Sequence, residues 1–427
     1  MNKTDIRYSE YISILHEELV PAMGCTEPIA IAYAAAMAKK ILGTDPERVV
    51  IEISDNIIKN VKSVVVPNTG NLKGIEAAAA AGIAAGDANK VLEVISEVND
   101  EGRKAIATFL KTKEIKIQSS KSGLIFDLIV NVYSGESSAS VRISHFHTNI
   151  VRITKDGKTT FYNPQCNDIN KTGKTDRSLM NVEDIIDFAE SVDISEVKDV
   201  LQKQIDYNSA IAEEGIRGEW GASIGSVILK TWDCNDIKIR AKAMAAAGSD
   251  ARMSGCELPV IIVSGSGNQG LTASVPVIEY ARELKADRET LYRALIISNL
   301  ITIHLKTGIG SLSAYCGAVS AGMGAGSGIT WLCGGRYKEV AHTIVNGLAI
   351  VSGIICDGAK PSCAGKVATA VEAGILGYHM YKNGKQIYAG EGIVEKGVEN
   401  TIKNIGRLGS TGMRETDKEI IRIMLGK

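Results

Sequence analysis

The stretch LIFDLIVNVYSGESSASVRISHFHTNIVRITKDGKTTFY, residues 124–162, decides the fold class. Its β-branched and apolar residues fall in blocks of strand length, LIFDLIVNVY, SASVRISHFH and NIVRIT. Asp156-Gly157, between NIVRIT and TTFY, is a dipeptide that suits a two-residue hairpin turn. Strand character begins upstream at Glu114, and Arg48 to Ser54 and Val61 to Val66 read as further strands. The loop Pro67-Asn68-Thr69-Gly70-Asn71 leads into an Ala-rich helix through about Ala85. Residues 44–165 therefore read as a smaller α/β lobe. Polar, aperiodic residues after Asn163 suggest a linker, and from about Asn181 helical patterns dominate. Two further helices, near residues 6–20 and 28–42, precede the lobe. The expected fold is α+β: a large, mainly helical domain, residues 175–427, with the α/β lobe inserted near the N-terminus and residues 1–43 packed on the helical domain.

Composition narrows the function. The 427 residues carry 48 Lys plus Arg against 49 Asp plus Glu, and aromatics are 5%. A near-neutral chain lacks the cationic face that nucleic acids or anionic membranes need, and it has few rings for base stacking. The N-terminal twenty residues are charged throughout and lack the apolar core of a signal peptide. The segment Thr307 to Gly335 has no charged residue, but its Gly, Ala and Ser point to a buried helix, or a helix pair with an embedded turn, rather than a membrane span. The expectation is a cytoplasmic protein with reduced thiols, no nucleic-acid partner, no membrane and a small-molecule substrate. A homodimer is plausible, twofold assemblies being the commonest.

Eight cysteines raise the question of chemistry. Cys356 and Cys363 flank a short Gly/Pro loop between helical runs, and Cys316 precedes the uncharged segment. Three thiols at this spacing do not match a zinc finger; they suit a [4Fe–4S] cluster with one iron lacking a protein ligand, or else are ordinary buried cysteines. Cys25 stands just before a helix, where a thiolate is favoured, so it reads as a base or nucleophile, or as a small residue in a tight turn. The loop Ser264-Gly265-Ser266-Gly267-Asn268-Gln269 follows the apolar run LPVIIV and suits a carboxylate, or is a structural turn. Asn68 and Thr69 form a similar, weaker anion-site candidate. His145 and His147 share one face of a strand and could ligate a metal, but no third ligand suggests itself, so the ordinary strand-surface reading is favoured. Cys166, Cys234, Cys256 and Cys333 are not expected to be ligands.

PAMGCTEPIAIAYAAA at 21–36, the ARMSG and LPVIIVSGSGNQG segments at 251–270, AYCGAVSAGMGAGSG and CDGAKPSCAGK together resemble the L-cysteine desulfidases. The last three also resemble the α part of iron–sulfur-dependent L-serine dehydratases. The resemblance implies that Cys316, Cys356 and Cys363 ligate a [4Fe–4S] cluster, that Cys25 accepts a proton, and that the Gly265–Gly270 loop lines the substrate pocket. It also implies chemistry without pyridoxal phosphate. The expected activity is β-elimination from L-cysteine to pyruvate, ammonia and hydrogen sulfide. L-Serine elimination by the same route, or a non-catalytic iron–sulfur or redox sensor, are the alternatives.

Overall fold

The computed structural model describes residues 1–163, 175–310 and 312–426. The expected linker after Asn163 and Cys166 lie outside the described residues. Helix α1 (Ile6–Glu18) starts at Asp5, whose carboxylate accepts the Arg7 amide, and sets Tyr8 and Tyr11 edge-on against Phe188. The short strand β1 (Pro21–Met23) leads into α2 (Thr26–Leu42), which ends at left-handed Gly43. The lobe then runs β2 (Arg48–Ile53), α3 (Asp55–Val61), α4 (Gly74–Ala85), α5 (Asp100–Thr112), β3 (Glu114–Ser119), β4 (Asp127–Ser134), β5 (Ser137–Ser144), β6 (Ile150–Lys155) and β7 (Lys158–Tyr162).

The sheet order is β3-β2-β4-β5-β6-β7, with only β2 and β3 parallel. A parallel pair needs a crossover, which α3 to α5 provide. Alternate residues share a face, so Ile51, Val130 and Val141 stand in register across three strands, fully buried. α2 covers this face with α4 beside it. A Cβ at Gly82 would stand 2.0 Å from the Ala32 carbonyl oxygen, so these two helices meet backbone to backbone. The expected hairpin turn has φ 49° at Asp156 and 75° at Gly157, the left-handed pair a primed turn requires. Val61 to Val66, however, forms no strand. Ile57 and Val61 bury one helical turn apart in α3, and beyond them Val65 makes only an isolated bridge to Lys73.

The helical half comprises α6 (Val182–Ser191), α7 (Lys198–Arg217), α8 (Ile224–Thr231), α9 (Ile237–Met253), β8 (Pro259–Ile261), α10 (Gly267–Glu283), α11 (Arg288–Ile309), α12 (Gly317–Leu332), α13 (Tyr337–Ile350), α14 (Cys363–Lys382), α15 (Val398–Arg407) and α16 (Arg414–Leu425). The N-terminal helices divide between the two halves. α1 packs on α11, β1 pairs antiparallel with β8, and α2 lies on the sheet, where its Ala-rich surface is buried. The uncharged segment is the end of α11, a loop and α12, which is wedged among α10, α11 and α14. Small residues are required there: a Cβ at Gly322 would stand 2.3 Å from the Ala370 carbonyl. No described helix is long and apolar enough to cross a membrane.

Candidate active site

Four helix N-termini open into one cavity of about 340 Å3. Cys25 is the N-cap of α2, Ser266 of α10 and Cys316 of α12, while Cys363 is the first residue of α14. None of the four N-cap residues makes a side-chain capping bond. The first-turn amides and the positive ends of four helix dipoles are thus turned toward a shared space.

The backbone brings the thiols together. Tyr315 and Ile355 form an antiparallel bridge, the Cys316 amide donates to the Ile354 carbonyl at 2.9 Å, and the Cys356 amide donates to the Ala314 carbonyl at 2.7 Å. This pairing sets the Cys316 and Cys356 thiols within hydrogen-bond reach. Cys363 follows one turn on, its amide bonded to the Lys360 carbonyl and its Sγ 3.8 Å from the Gly358 carbonyl. Gly358 has φ 95°, and a Cβ there would meet the Lys59 carbonyl oxygen at 2.4 Å.

Cations surround these sulfurs. The bond from Cys316, then the charges of Lys59 and Lys366, hold the Cys356 thiol below its usual range, against burial. The same bond and burial raise Cys316, and burial raises Cys363. Lys59 donates to the Cys356 carbonyl at 3.4 Å and pairs with Asp417 of α16. Lys366 donates to the Ile355 carbonyl at 2.8 Å and pairs with Asp357. Burial lowers the Lys306 ammonium to about 8, while the nearby Cys356 and Cys316 act in the opposite sense.

Cys25 departs from expectation. Its thiol donates to Glu27 Oε2 at 2.9 Å, and burial, then the Glu27 charge, push its pKa well above the usual thiol value. A helix N-terminus alone would lower it, but here desolvation and a touching carboxylate win. Burial also works against the Glu27 carboxylate, yet His147 and Cys25 hold it down to about 2. His147 Nε2 stands 3.8 Å from Glu27 Oε1. Thr26 donates to the Gly265 carbonyl at 2.8 Å, which ties the start of α2 to the glycine loop.

That loop bends through left-handed Ser264 and Gly265, at φ 48° and 77°. Ser264, Gly265, Ser266, Asn268 and Gln269 line the cavity with the four cysteines. Gly267 stands behind them, its missing side chain making room for Arg252. Asn68 and Thr69 do not line the cavity. Thr69 donates to the Val66 carbonyl at 2.7 Å within its own turn, while Asn68 donates to the Ile95 carbonyl at 2.8 Å, tying the turn to the segment after α4, and borders a separate groove with Cys256. Cys234 and Cys333 are exposed and also absent from the cavity wall.

Glu27 and Lys306, which nothing in the sequence singled out, line the cavity, and so do His145 and His147, expected on a strand surface. The histidines continue the alternation of β5, which reads as strand surface. The strand ends at Ser144, and left-handed His145, φ 70°, turns the chain into the site. Glu27 was visible only as the second residue of α2, next but one to Cys25. Among the described residues no group of three or more His, Cys, Asp or Glu side chains is arranged to hold a single metal ion.

A profile described as the serine dehydratase alpha chain matches residues 74–422. The chain belongs to the serine dehydratase alpha chain family. Its relatives include the UPF0597 protein of Desulfitobacterium hafniense (strain Y51), 61% identical over all of this chain and 99% of that protein. The UPF0597 protein of Lachnoclostridium phytofermentans is 51% identical over 98% of this chain and its own full length. That of Treponema denticola is 45% identical over 98% of both. Membership in the serine dehydratase alpha chain family points to a lyase of amino-acid catabolism.

Proposed function

We propose that the protein catalyses β-elimination from a small α-amino acid, with L-cysteine as substrate and pyruvate, ammonia and hydrogen sulfide as products. The observation that carries this reading is the convergence of Cys316, Cys356, Cys363 and Cys25 on one cavity with the glycine loop. Its 340 Å3 lies at the small end of ligand pockets, a size for a single amino acid.

The donor set fits a [4Fe–4S] cluster held by Cys316, Cys356 and Cys363. Thiolates of a cluster each bind a different iron, so they need not close on one point as ligands of a single ion do. Lys59 and Lys366 offset the charge that deprotonated sulfurs would bring. When bound, such a cluster supplies an iron without a protein ligand, a Lewis acid for the leaving sulfur or hydroxyl. The protein's own residues do the rest. First-turn amides of α10 and the Ser264–Gln269 loop receive the carboxylate. Cys25 takes the α-proton. Its thiol is held protonated in the free site, so the thiolate that does this forms by loss of the proton as pH rises. The converging helix dipoles stabilise negative charge as it develops at the α-carbon. The released aminoacrylate tautomerises and hydrolyses.

L-Serine is the second reading, favoured by the family description. One experiment tests both: protein purified without oxygen, assayed for iron and acid-labile sulfide, for sulfide release from L-cysteine and for pyruvate release from L-serine. About four of each atom per chain with sulfide release supports the proposal. Pyruvate from L-serine alone moves the assignment to the hydroxyl substrate. Bound iron with neither product leaves a redox or sensing role, and absence of iron after reconstitution overturns the cluster.

A further inference from the structure

Arg252, a buried cation of the cavity wall, forms no ion pair among the described residues. Arg252, at the end of α9, is 3% exposed. Its Nε is buried without a hydrogen-bond partner, and the contact its guanidinium makes is from Nη1 to Met253 Sδ at 4.0 Å. No Asp or Glu among the described residues forms an ion pair with it. An isolated buried charge is strongly unfavourable, so an arginine kept in this state is matched to an anion that arrives from outside. Its position says which anion. A Cβ at Gly267 would stand 2.3 Å from Arg252 Nε, so the guanidinium is pressed against the first turn of α10, where amides are free to donate. Arg252 also lies within electrostatic reach of both Cys25 and Cys363. An anion on Arg252 therefore sits in the cavity that Cys25 and the three thiols line. A planar carboxylate suits the guanidinium fork.

We propose that Arg252, with the first-turn amides of α10, is the carboxylate anchor of the cavity and its specificity-determining residue, selecting α-amino acids over amines of the same side chain. The choice of ligand rests on the elimination reading, but carboxylate binding is expected whether or not turnover occurs. The probes are L-alanine, which keeps the carboxylate and lacks a leaving group, and L-alaninamide, which lacks the carboxylate. Titration calorimetry on the anaerobically reconstituted protein should show L-alanine binding at least about tenfold tighter, as expected for loss of one buried charged bond. Arg252→Gln should abolish that preference, and Arg252→Lys should restore part of it. Gly267→Ala should weaken L-alanine alone, because the new methyl displaces the guanidinium. Wild-type protein that binds both probes equally, or binds neither, overturns the proposal, as does Arg252→Gln with an unchanged preference. If Arg252→Gln fails to fold by circular dichroism, Arg252→Lys and Gly267→Ala decide, and wild-type preference in both overturns it. L-Alanine bound through Arg252 without sulfide or pyruvate release would keep the anchor and sink the elimination reading. Sulfide release from cysteine that is undiminished in Arg252→Gln, or cysteamine turned over as well as cysteine, would do the reverse.

Discussion

At the scale of single residues, Cys25 and Asp250 show how burial sets proton affinity. Cys25 is raised by burial and by Glu27, so the fraction ionised grows as pH rises. The rate constant kcat/KM is therefore expected to climb through neutrality into the alkaline range. Glu27→Gln removes the negative charge that opposes the thiolate and should move that climb to lower pH. A profile that Glu27→Gln leaves in place would remove Cys25 from the role of proton acceptor. Cys25→Ala should keep its iron and lose about 10²–10⁴ in kcat, the usual worth of a positioned base. Asp250 lies outside the chemistry. Its Oδ2 accepts the Gly225 amide at 3.0 Å, its Oδ1 has no partner, and burial raises its pKa to about 6. The folded state then holds this proton more tightly than the unfolded chain. Its contribution is most favourable below about pH 4 and is lost as pH rises through about 6. Asp250→Asn keeps the acceptor and removes the charge. It should raise stability at pH 7 by on the order of 2 kcal/mol and flatten this part of the pH dependence. Equal melting shifts at pH 4 and pH 7 would contradict that account.

At the scale of elements, the close crossing of α12 and α14 positions the chemistry, since each carries a proposed ligand at its N-terminus. A Cβ at Gly374 would stand 2.2 Å from the Gly322 carbonyl oxygen, and one at Gly322 would crowd Ala370. Gly322→Val should cost at least about 1–3 kcal/mol through overpacking and lower the iron content as the two N-termini separate. Gly365, in the first turn of α14, has nothing within 4 Å of where a Cβ would stand. Gly365→Ala should leave iron unchanged and stabilise by up to about 1 kcal/mol through helix propensity. Iron lost equally from both variants would mean that the crossing does not set the site. The small residues of 317–332 announced a buried helix in the sequence, as the alternation of 124–162 announced a sheet, because periodicity and residue size are local signals. Val61 to Val66 was misread because a short apolar run serves a helix end as well as a strand. His145 and His147 were misread because a strand's last residue is set by a backbone turn that alternation does not encode. Arg252 stands in the ARMSG segment that carries the resemblance, but its role comes from having no ion-pair partner among the described residues, which is a property of the folded molecule.

At the scale of the whole molecule, the site gathers residues spread along nearly the entire chain. Cys25 arrives on α2 and His147 on the connection after β5, so the N-terminal segment and the sheet both complete a cavity whose other three thiols, Cys316, Cys356 and Cys363, belong to the helical half. Between Cys316 and Cys356 lie 39 residues, spent on α12 and α13. In an unfolded chain these thiols are far apart and hold nothing in common. A group bound by all three therefore stabilises only the folded state, by an amount set by its affinity. Anaerobic reconstitution should raise the melting temperature, and exposure to a chelator should reverse the rise. Cys316→Ser, Cys356→Ser and Cys363→Ser should each abolish both the increment and most of the iron. Cys234→Ser and Cys333→Ser, exposed and away from the cavity, should leave both as in the wild type. Full iron in any of the first three variants would break the ligand set, because a group held by two thiols and a vacancy would not couple so much of the fold to its own retention.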